Sequence, residues 1–405
     1  MLRRAIPLAL LAGALAGPAG AQSTAPLTLS DALARAQAQS PALAAARARV
    51  DAAREATTRI GWLPNPTAEL RSENWASGAG GALPLDVFAT LTQTVELGGK
   101  RGARRAIATA GLDAATAAEA VVARDVARHV VGEYLAALRA REHARERGAF
   151  AEQMTEAARV MAQRVEVGAA PEADLLKLRT EDARAVVERG RADLAAARAL
   201  ATLSAVLGTD VSGEALATPP RPALPALDAG VAPTHPEIAL AAGAVATARA
   251  AVDLEQSRAV PDLGVNAGYK RTGGFNTGVV AVTVPVPLFD RNGVARALAA
   301  GQARAAEQDR AATERRLAGA FSAAHRAATI LASRATDLDA TLVVPARGAR
   351  DAARAAFAAG ALDVLRLVDA ERLYVDAAIA AVDVVIDAVE ATIEARLAAG
   401  EEPLP

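Results

Sequence analysis

The chain has 405 residues, 52% hydrophobic and 22% charged, with 45 basic and 46 acidic side chains and a formal net charge of −1. With no basic excess to neutralise phosphates, nucleic acid is excluded as a partner. The lack of cysteine excludes disulfides, thiolate metal sites and a cysteine-linked lipid anchor.

Residues 1–21 read as a secretory signal. Arg3 and Arg4 form a basic start, 5–16 an apolar run too short for a membrane span, and Ala19-Gly20-Ala21 a small-residue cleavage site. The mature chain opens at Leu29-Ser30-Asp31-Ala32-Leu33, where Ser30 or Asp31 is expected to cap a helix. Pro41 starts the next helix at a position where a missing amide proton costs nothing. Trp62-Leu63-Pro64-Asn65-Pro66 ends it.

Two strands are expected at about 66–76 and 85–95, joined by a glycine-rich tip at 77–81, with Glu69, Arg71 and Glu73 sharing one face. Gly98 and Gly99 then turn a strand-to-helix corner. A phosphate-loop reading of Gly98-Gly99-Lys100 fails, because Arg101 stands where Ser or Thr would hold magnesium. From Lys100 the pattern is one very long helix, with Val122, Val126, Val130, Tyr134 and Leu138 stepping along one face. At ~1.5 Å per residue it extends roughly 100 Å, too long for a globular domain. Gly168 marks its reversal into a returning helix.

Residues 208–234 are rich in proline, glycine and alanine and read as a linker lying against the outside. The whole order then repeats about 192 residues on. His235-Pro236 opens a helix that ends at Val260-Pro261-Asp262. Strands follow at about 262–271 and 277–285, with a corner at Asp290-Arg291-Asn292-Gly293. The next long helix should be interrupted at Pro345, and Gly360 precedes the last helix, seamed by Val375, Ile379, Val382, Ile386, Val389 and Ile393. Leu97 and Gly168 are 71 positions apart, Leu288 and Gly360 72. The domains are thus a first repeat at 22–207, the linker, a second repeat at 235–398 and a tail at 399–405. Six of the eleven aromatic residues, Trp62, Trp75, Phe88, Tyr269, Phe275 and Phe289, fall in the strand-bearing segments, as in the interfacial girdle of a membrane barrel.

Four strands of about the nine to eleven residues needed to cross a bilayer cannot close a barrel. Open edges in lipid leave backbone groups unpaired at several kcal/mol each, so the chain must associate with copies of itself. Two copies give eight strands and a filled interior; three give twelve and a conduit. The expected fold is mainly α with a small transmembrane β-barrel: an internally duplicated helix-strand-strand-long helix-helix protomer forming a trimeric twelve-stranded barrel on an α-helical barrel.

The order and spacing of Leu29 to Leu33, Trp62-Leu63-Pro64-Asn65-Pro66, Leu97-Gly98-Gly99-Lys100-Arg101, Val284-Pro285-Val286-Pro287-Leu288-Phe289 and the turns at Gly168 and Gly360 resemble the TolC family of outer-membrane efflux channels. Gln93 to Arg101 is most similar to the subfamily serving heavy-metal pumps of the resistance-nodulation-division (RND) class. The resemblance implies a homotrimer in outer-membrane lipid that extends into the periplasm and docks on a periplasmic adaptor (membrane fusion) protein and an inner-membrane RND pump. It would be a passive exit duct without catalytic or cofactor chemistry.

In TolC-type channels acidic residues at the second hairpin tip ring the closed pore. The matching positions are Arg366 and Asp369, with Asp174 and Lys177 at the same offsets in the first hairpin; Arg366 departs from the acidic pattern. Ion pairs of Arg366, Asp369 and Asp174, within or between protomers, are expected to hold the tip closed. Heavy-metal cations are the expected cargo, with drugs or peptides as the alternative. A periplasmic adaptor would have one hairpin and many more strands, and a soluble coiled coil would leave the alternating strands unexplained. No Ser/His/Asp, metal or paired-carboxylate constellation points to an enzyme. The four histidines, His129, His143, His235 and His325, are too far apart for a metal cage and read as surface or helix-packing residues.

Overall fold

The computed structural model describes residues 25–61, 63–73, 85–227 and 230–404. The signal at 1–21, Trp62, Trp75 and the glycine-rich tip at 77–81 lie outside them. The first half contains α1 (Leu29–Gln39), α2 (Pro41–Thr58), β1 (Thr67–Glu73), β2 (Asp86–Val95), α3 (Lys100–Glu166) and α4 (Glu172–Leu207). The second contains α5 (Pro236–Ser257), β3 (Leu263–Thr272), β4 (Phe275–Thr283), α6 (Gly293–Leu338), a π-helical turn (Asp339–Val343), α7 (Val344–Ala358) and α8 (Val364–Ala399). The succession from α2 to α4 recurs from α5 to α8. Its largest component, α3, has 67 residues and a length of roughly 100 Å.

Local chemistry sets the ends of these elements. The cap of α1 is Thr28 rather than Ser30 or Asp31: its hydroxyl accepts from the Asp31 N–H while the Asp31 carboxylate reaches back, a capping box. Ser40 caps α2 ahead of Pro41, and the buried His235 caps α5 through Nδ1, which accepts from the Glu237 N–H at 3.2 Å. The reversals are built alike. Gly168 (φ 71°) and Gly360 (φ 72°) are left-handed, the Ala169 N–H donates to the Arg164 carbonyl, and the Ala361 N–H donates to the Ala356 carbonyl. Both are Schellman motifs, which explains a glycine at each. Pro345 does interrupt its helix, through a π-helical turn just before it, where the Val344 N–H reaches back five residues to the Asp339 carbonyl. The proline has no N–H for the ordinary ladder, and the wider turn accommodates the fault.

Packing follows the alanine-rich seams. Antiparallel α3 and α4 form one hairpin, and α6, α7 and α8 the other. Val130, Tyr134 and Leu138 from α3 join Ile386, Val389 and Ile393 from α8, with α1 and the end of α4, in a central core. A second cluster, around Met154, Leu178, Phe357, Leu367 and Val375, lies toward the tips. The segment after α4 returns to the central core: Leu27 bridges Leu216 in parallel. The Tyr134 hydroxyl reaches the carbonyls of Leu27 at 2.7 Å and Ala217 at 2.6 Å. Farther on it runs along α6 and α8, where Arg221 donates to the Ala332 carbonyl and Arg396 to the Ala223 carbonyl.

The strands form one antiparallel sheet in the order β1-β2-β3-β4. The second hairpin is tighter than the sequence implies: Thr272 pairs with Phe275 across a two-residue Gly273-Gly274 turn with φ of 53° and 98°, the twist that hairpins favour. Register sorts the side chains into two faces. Leu70, Ala89 and Tyr269 align on one, as do Leu91, Ala267 and Val280; Arg71, Phe88, Lys270 and Thr277 align on the other, as do Thr92, Asn266 and Ala281. Gly268 belongs to the polar face, where an added Cβ would lie 2.6 Å from Thr90 Cα. Along β3 the polar-face residues Asn266, Gly268, Lys270 and Thr272 are half-buried while Val265, Ala267, Tyr269 and Arg271 on the opposite face are exposed, so the sheet curls toward its polar face, where glycine admits the near backbone.

Candidate functional site

At the tips, Asp174 and Arg366 occupy the first turns of α4 and α8, and Lys177 and Asp369 lie one turn on. Lys177 Nζ is 3.4 Å from Asp174 Oδ1 within the same helix. Arg366 and Asp369 are exposed, and among the described residues neither has an ion-pair partner within the protomer. Expected pairing of Arg366 and Asp369 with Asp174 inside one chain is therefore not seen: Arg366 and Asp369 project from α8 toward solvent, whereas the half-buried Asp174 on α4 is engaged by Lys177.

The two hairpins are instead tied by residues that sequence reasoning missed. An Arg164 guanidinium nitrogen donates to the carbonyls of Phe357 at 2.8 Å and Ala358 at 3.1 Å, and the guanidinium stacks 4.7 Å from the Phe357 ring centroid. It satisfies the Ala358 carbonyl, adds a second donor to the Phe357 carbonyl that already accepts from the Gly360 N–H, and faces the negative end of the α7 helix dipole. Arg372 of α8 pairs with Glu181 of α4, a second tie between the hairpins. Within the second hairpin, Glu371 of α8, buried at 3% exposure, takes a bidentate bond from Arg354 of α7, and Arg350 of α7 stacks 3.9 Å over Tyr374 of α8. The one advance signal was Arg164 in the last turn of α3; its acceptor carbonyls lie 193 and 194 positions away.

At the other end, Gly98 and Gly99 both have positive φ, 71° and 79°. A side chain at Gly98 would meet Val260 Cβ at 2.8 Å. The buried Lys100 places Nζ 2.5 Å from Asp262 Oδ1 and 2.8 Å from the Val260 carbonyl, joining the start of α3 to the start of β3. Arg104 grips Glu96 through two bonds of 2.6 and 2.5 Å, and that guanidinium holds the Glu96 carboxyl below the usual glutamate range. In the second copy the left-handed corner residue is Asn292 (φ 60°), not Gly293. Its amide donates to Glu255 Oε2 at 2.7 Å, and short polar asparagine tolerates this conformation.

Among the described residues, the aromatics of the strand-bearing segments divide between the two faces of the sheet rather than forming one belt. Tyr269 stands on the apolar face, whereas Phe88 stands on the polar face, its ring between the Arg71 and Lys270 cations, 4.6 and 4.8 Å from its centroid. The girdle expectation fails for Phe88 because cations on both neighbouring strands cover its ring. Phe275 also lies on the polar face, at the hairpin end, and Phe289 is fully exposed beyond β4.

A four-stranded sheet with a polar concave face, two unpaired edges and two helical hairpins of this length defines a class: the protomer of a membrane channel whose barrel is shared among chains. The family model for outer membrane efflux proteins matches residues 32–209 and 232–401. The cobalt-zinc-cadmium resistance protein CzcC of Cupriavidus metallidurans is 29% identical over 366 residues, 88% of this chain and 86% of the relative. The nickel-cobalt-cadmium resistance protein NccC of Alcaligenes xylosoxydans xylosoxydans is 33% identical over 278 residues, 64% of this chain and 61% of the relative. Among solved structures, the outer membrane protein VceC of Vibrio cholerae superposes with a TM-score of 0.76 at 17% identity, covering 92% of this chain and 96% of that one. The chain belongs to the outer membrane efflux protein family, and it is the outer-membrane channel component of an efflux system.

Proposed function

We propose that three copies assemble into a passive exit duct for heavy-metal cations, receiving cargo from an inner-membrane RND pump through a periplasmic adaptor. The open-edged sheet carries this reading: β1 and β4 each present an unpaired edge, and a neighbouring protomer satisfies both when the ring closes. The exposed Val286, Leu288, Phe289, Val294 and Leu298 beside the β4 end call for the same cover by lipid or a neighbour. The metal cargo is supported by the names of CzcC and NccC. A strain lacking the gene should lose growth in cobalt, zinc, cadmium or nickel and keep it in organic drugs; the opposite pattern would replace the metal reading with drug export.

The tip is the gate in this reading. Arg366 sits in the first turn of α8, where the helix dipole disfavours a cation by about 0.3–1 kcal/mol, so an anionic partner outside its own helix would be favourable. Asp369 or Asp174 of a neighbouring protomer supplies one. The hairpin glycines Gly168 and Gly360 allow the sharp reversals that set these charges at the tip. Conductance in planar bilayers should rise in Arg366→Ala and Asp369→Ala; channels indistinguishable from wild type in both would remove the gate assignment.

A further inference from the structure

Charge on the concave polar face is confined to the end near the Gly273-Gly274 turn. Glu73 and Asp86 form one row, Arg71, Phe88 and Lys270 the next, and Glu69, Thr90 and Gly268 the third. Beyond them the face is uncharged, with Thr67, Thr92, Asn266 and Thr283. Four of the five charges are paired: Arg71 Nε is 3.2 Å from Glu73 Oε1, and Lys270 Nζ is 3.3 Å from Asp86 Oδ2. Glu69 is exposed, and among the described residues no cation lies within ion-pair distance of it. Residues 74–84 contain no Lys or Arg, and β4, the strand a neighbour would lay beside β1, contains no charge.

We propose that Glu69 sets ion selectivity within the barrel: one carboxylate from each protomer forms a ring that favours cations over anions, bounded on the outer side by an ion-paired collar around Phe88. This rests on the duct reading above. A ring of fixed carboxylates is how pores prefer cations, and the neutral collar leaves Glu69 as the net charge of the wall. It gives the barrel a preference that matches metal cations without binding them tightly.

The test is the reversal potential of the full-length purified protein in planar bilayers under a KCl gradient, at low salt where the screening length is ~10 Å. Glu69→Gln should lower the potassium-over-chloride permeability ratio by about threefold, since one unit charge about 6 Å away in water, screened over ~10 Å, shifts cation and anion by about twofold each in opposite directions. Glu69→Asp should keep the wild-type ratio, and Arg71→Gln, which frees Glu73, should raise it. An unchanged ratio in Glu69→Gln, a Glu69→Asp channel that behaves like Glu69→Gln, or Arg71→Gln and Glu69→Gln moving the ratio in the same direction would overturn the assignment. Absence of any conductance from the unmodified protein would overturn the duct reading instead.

Discussion

Tyr134 joins three separate parts of the chain through one hydroxyl. Its ring fills the central core, and the hydroxyl is held between the Leu27 and Ala217 carbonyls. Burial pushes its pKa up to about 12 despite the Ala217 bond, so it remains a neutral donor across the physiological range. Tyr134→Phe keeps the packing but removes the donor, and should cost about 1–2 kcal/mol of stability in chemical denaturation of the detergent-solubilised protein. A loss of only a few tenths would mean that water replaces the hydroxyl. Glu96 makes a pH prediction of opposite chemistry. Because Arg104 lowers its folded pKa, the pair stabilises the corner above the unfolded glutamate value of about 4.3, and this contribution is lost as pH falls through the folded pKa. Melting temperature followed from pH 6 to pH 3 should fall less steeply in Glu96→Gln than in wild type; parallel curves would show that the pair contributes nothing to acid sensitivity.

The hairpin reversals test the elements themselves. At Gly168 and Gly360 an added Cβ meets no atom within 4 Å, so alanine there is opposed by backbone conformation alone. Each Gly→Ala change should cost about 1–2 kcal/mol, and Gly→Asn less, since asparagine tolerates the left-handed region. Amide exchange at the tips should rank glycine slowest, asparagine next and alanine fastest; equal rates would mean that the turn relaxes out of the left-handed form. These glycines were legible in the sequence because a Schellman motif needs only local residues. So were the α3 and α8 seams, which rest on helical period, and the interruption at Pro345, although not its π-helical form. Arg164 was not legible, since its acceptor carbonyl at Phe357 is 193 positions away and depends on how two hairpins lie together. Phe88 misled for a related reason. Its row partners Arg71 and Lys270 are set by the register of three strands, which alternation within β2 does not specify.

For the whole molecule, the decisive question is which sheet face meets lipid. The exposed Leu70, Leu91, Val280 and Val282 share the apolar face, and Gly268 lets the sheet curl away from it. A barrel closed by neighbouring copies would turn these residues outward and Glu69, Thr92, Asn266 and Ala281 inward. Adjacent residues of β4 then give opposite outcomes, because side chains alternate with a period of two. Val280 is opposite Ala267 on the apolar face, and Ala281 is opposite Asn266 on the polar one. Lysine at Val280 would place a charge in hydrocarbon at about 2–4 kcal/mol per protomer, whereas lysine at Ala281 would remain in water. Val280→Lys should therefore deplete the assembled oligomer from outer-membrane fractions, and Ala281→Lys should leave its amount near wild type. Should both variants assemble equally, or only Val280→Lys assemble, the sheet would not be a lipid-facing wall of this hand, and the inward placement of Glu69 would fall with it.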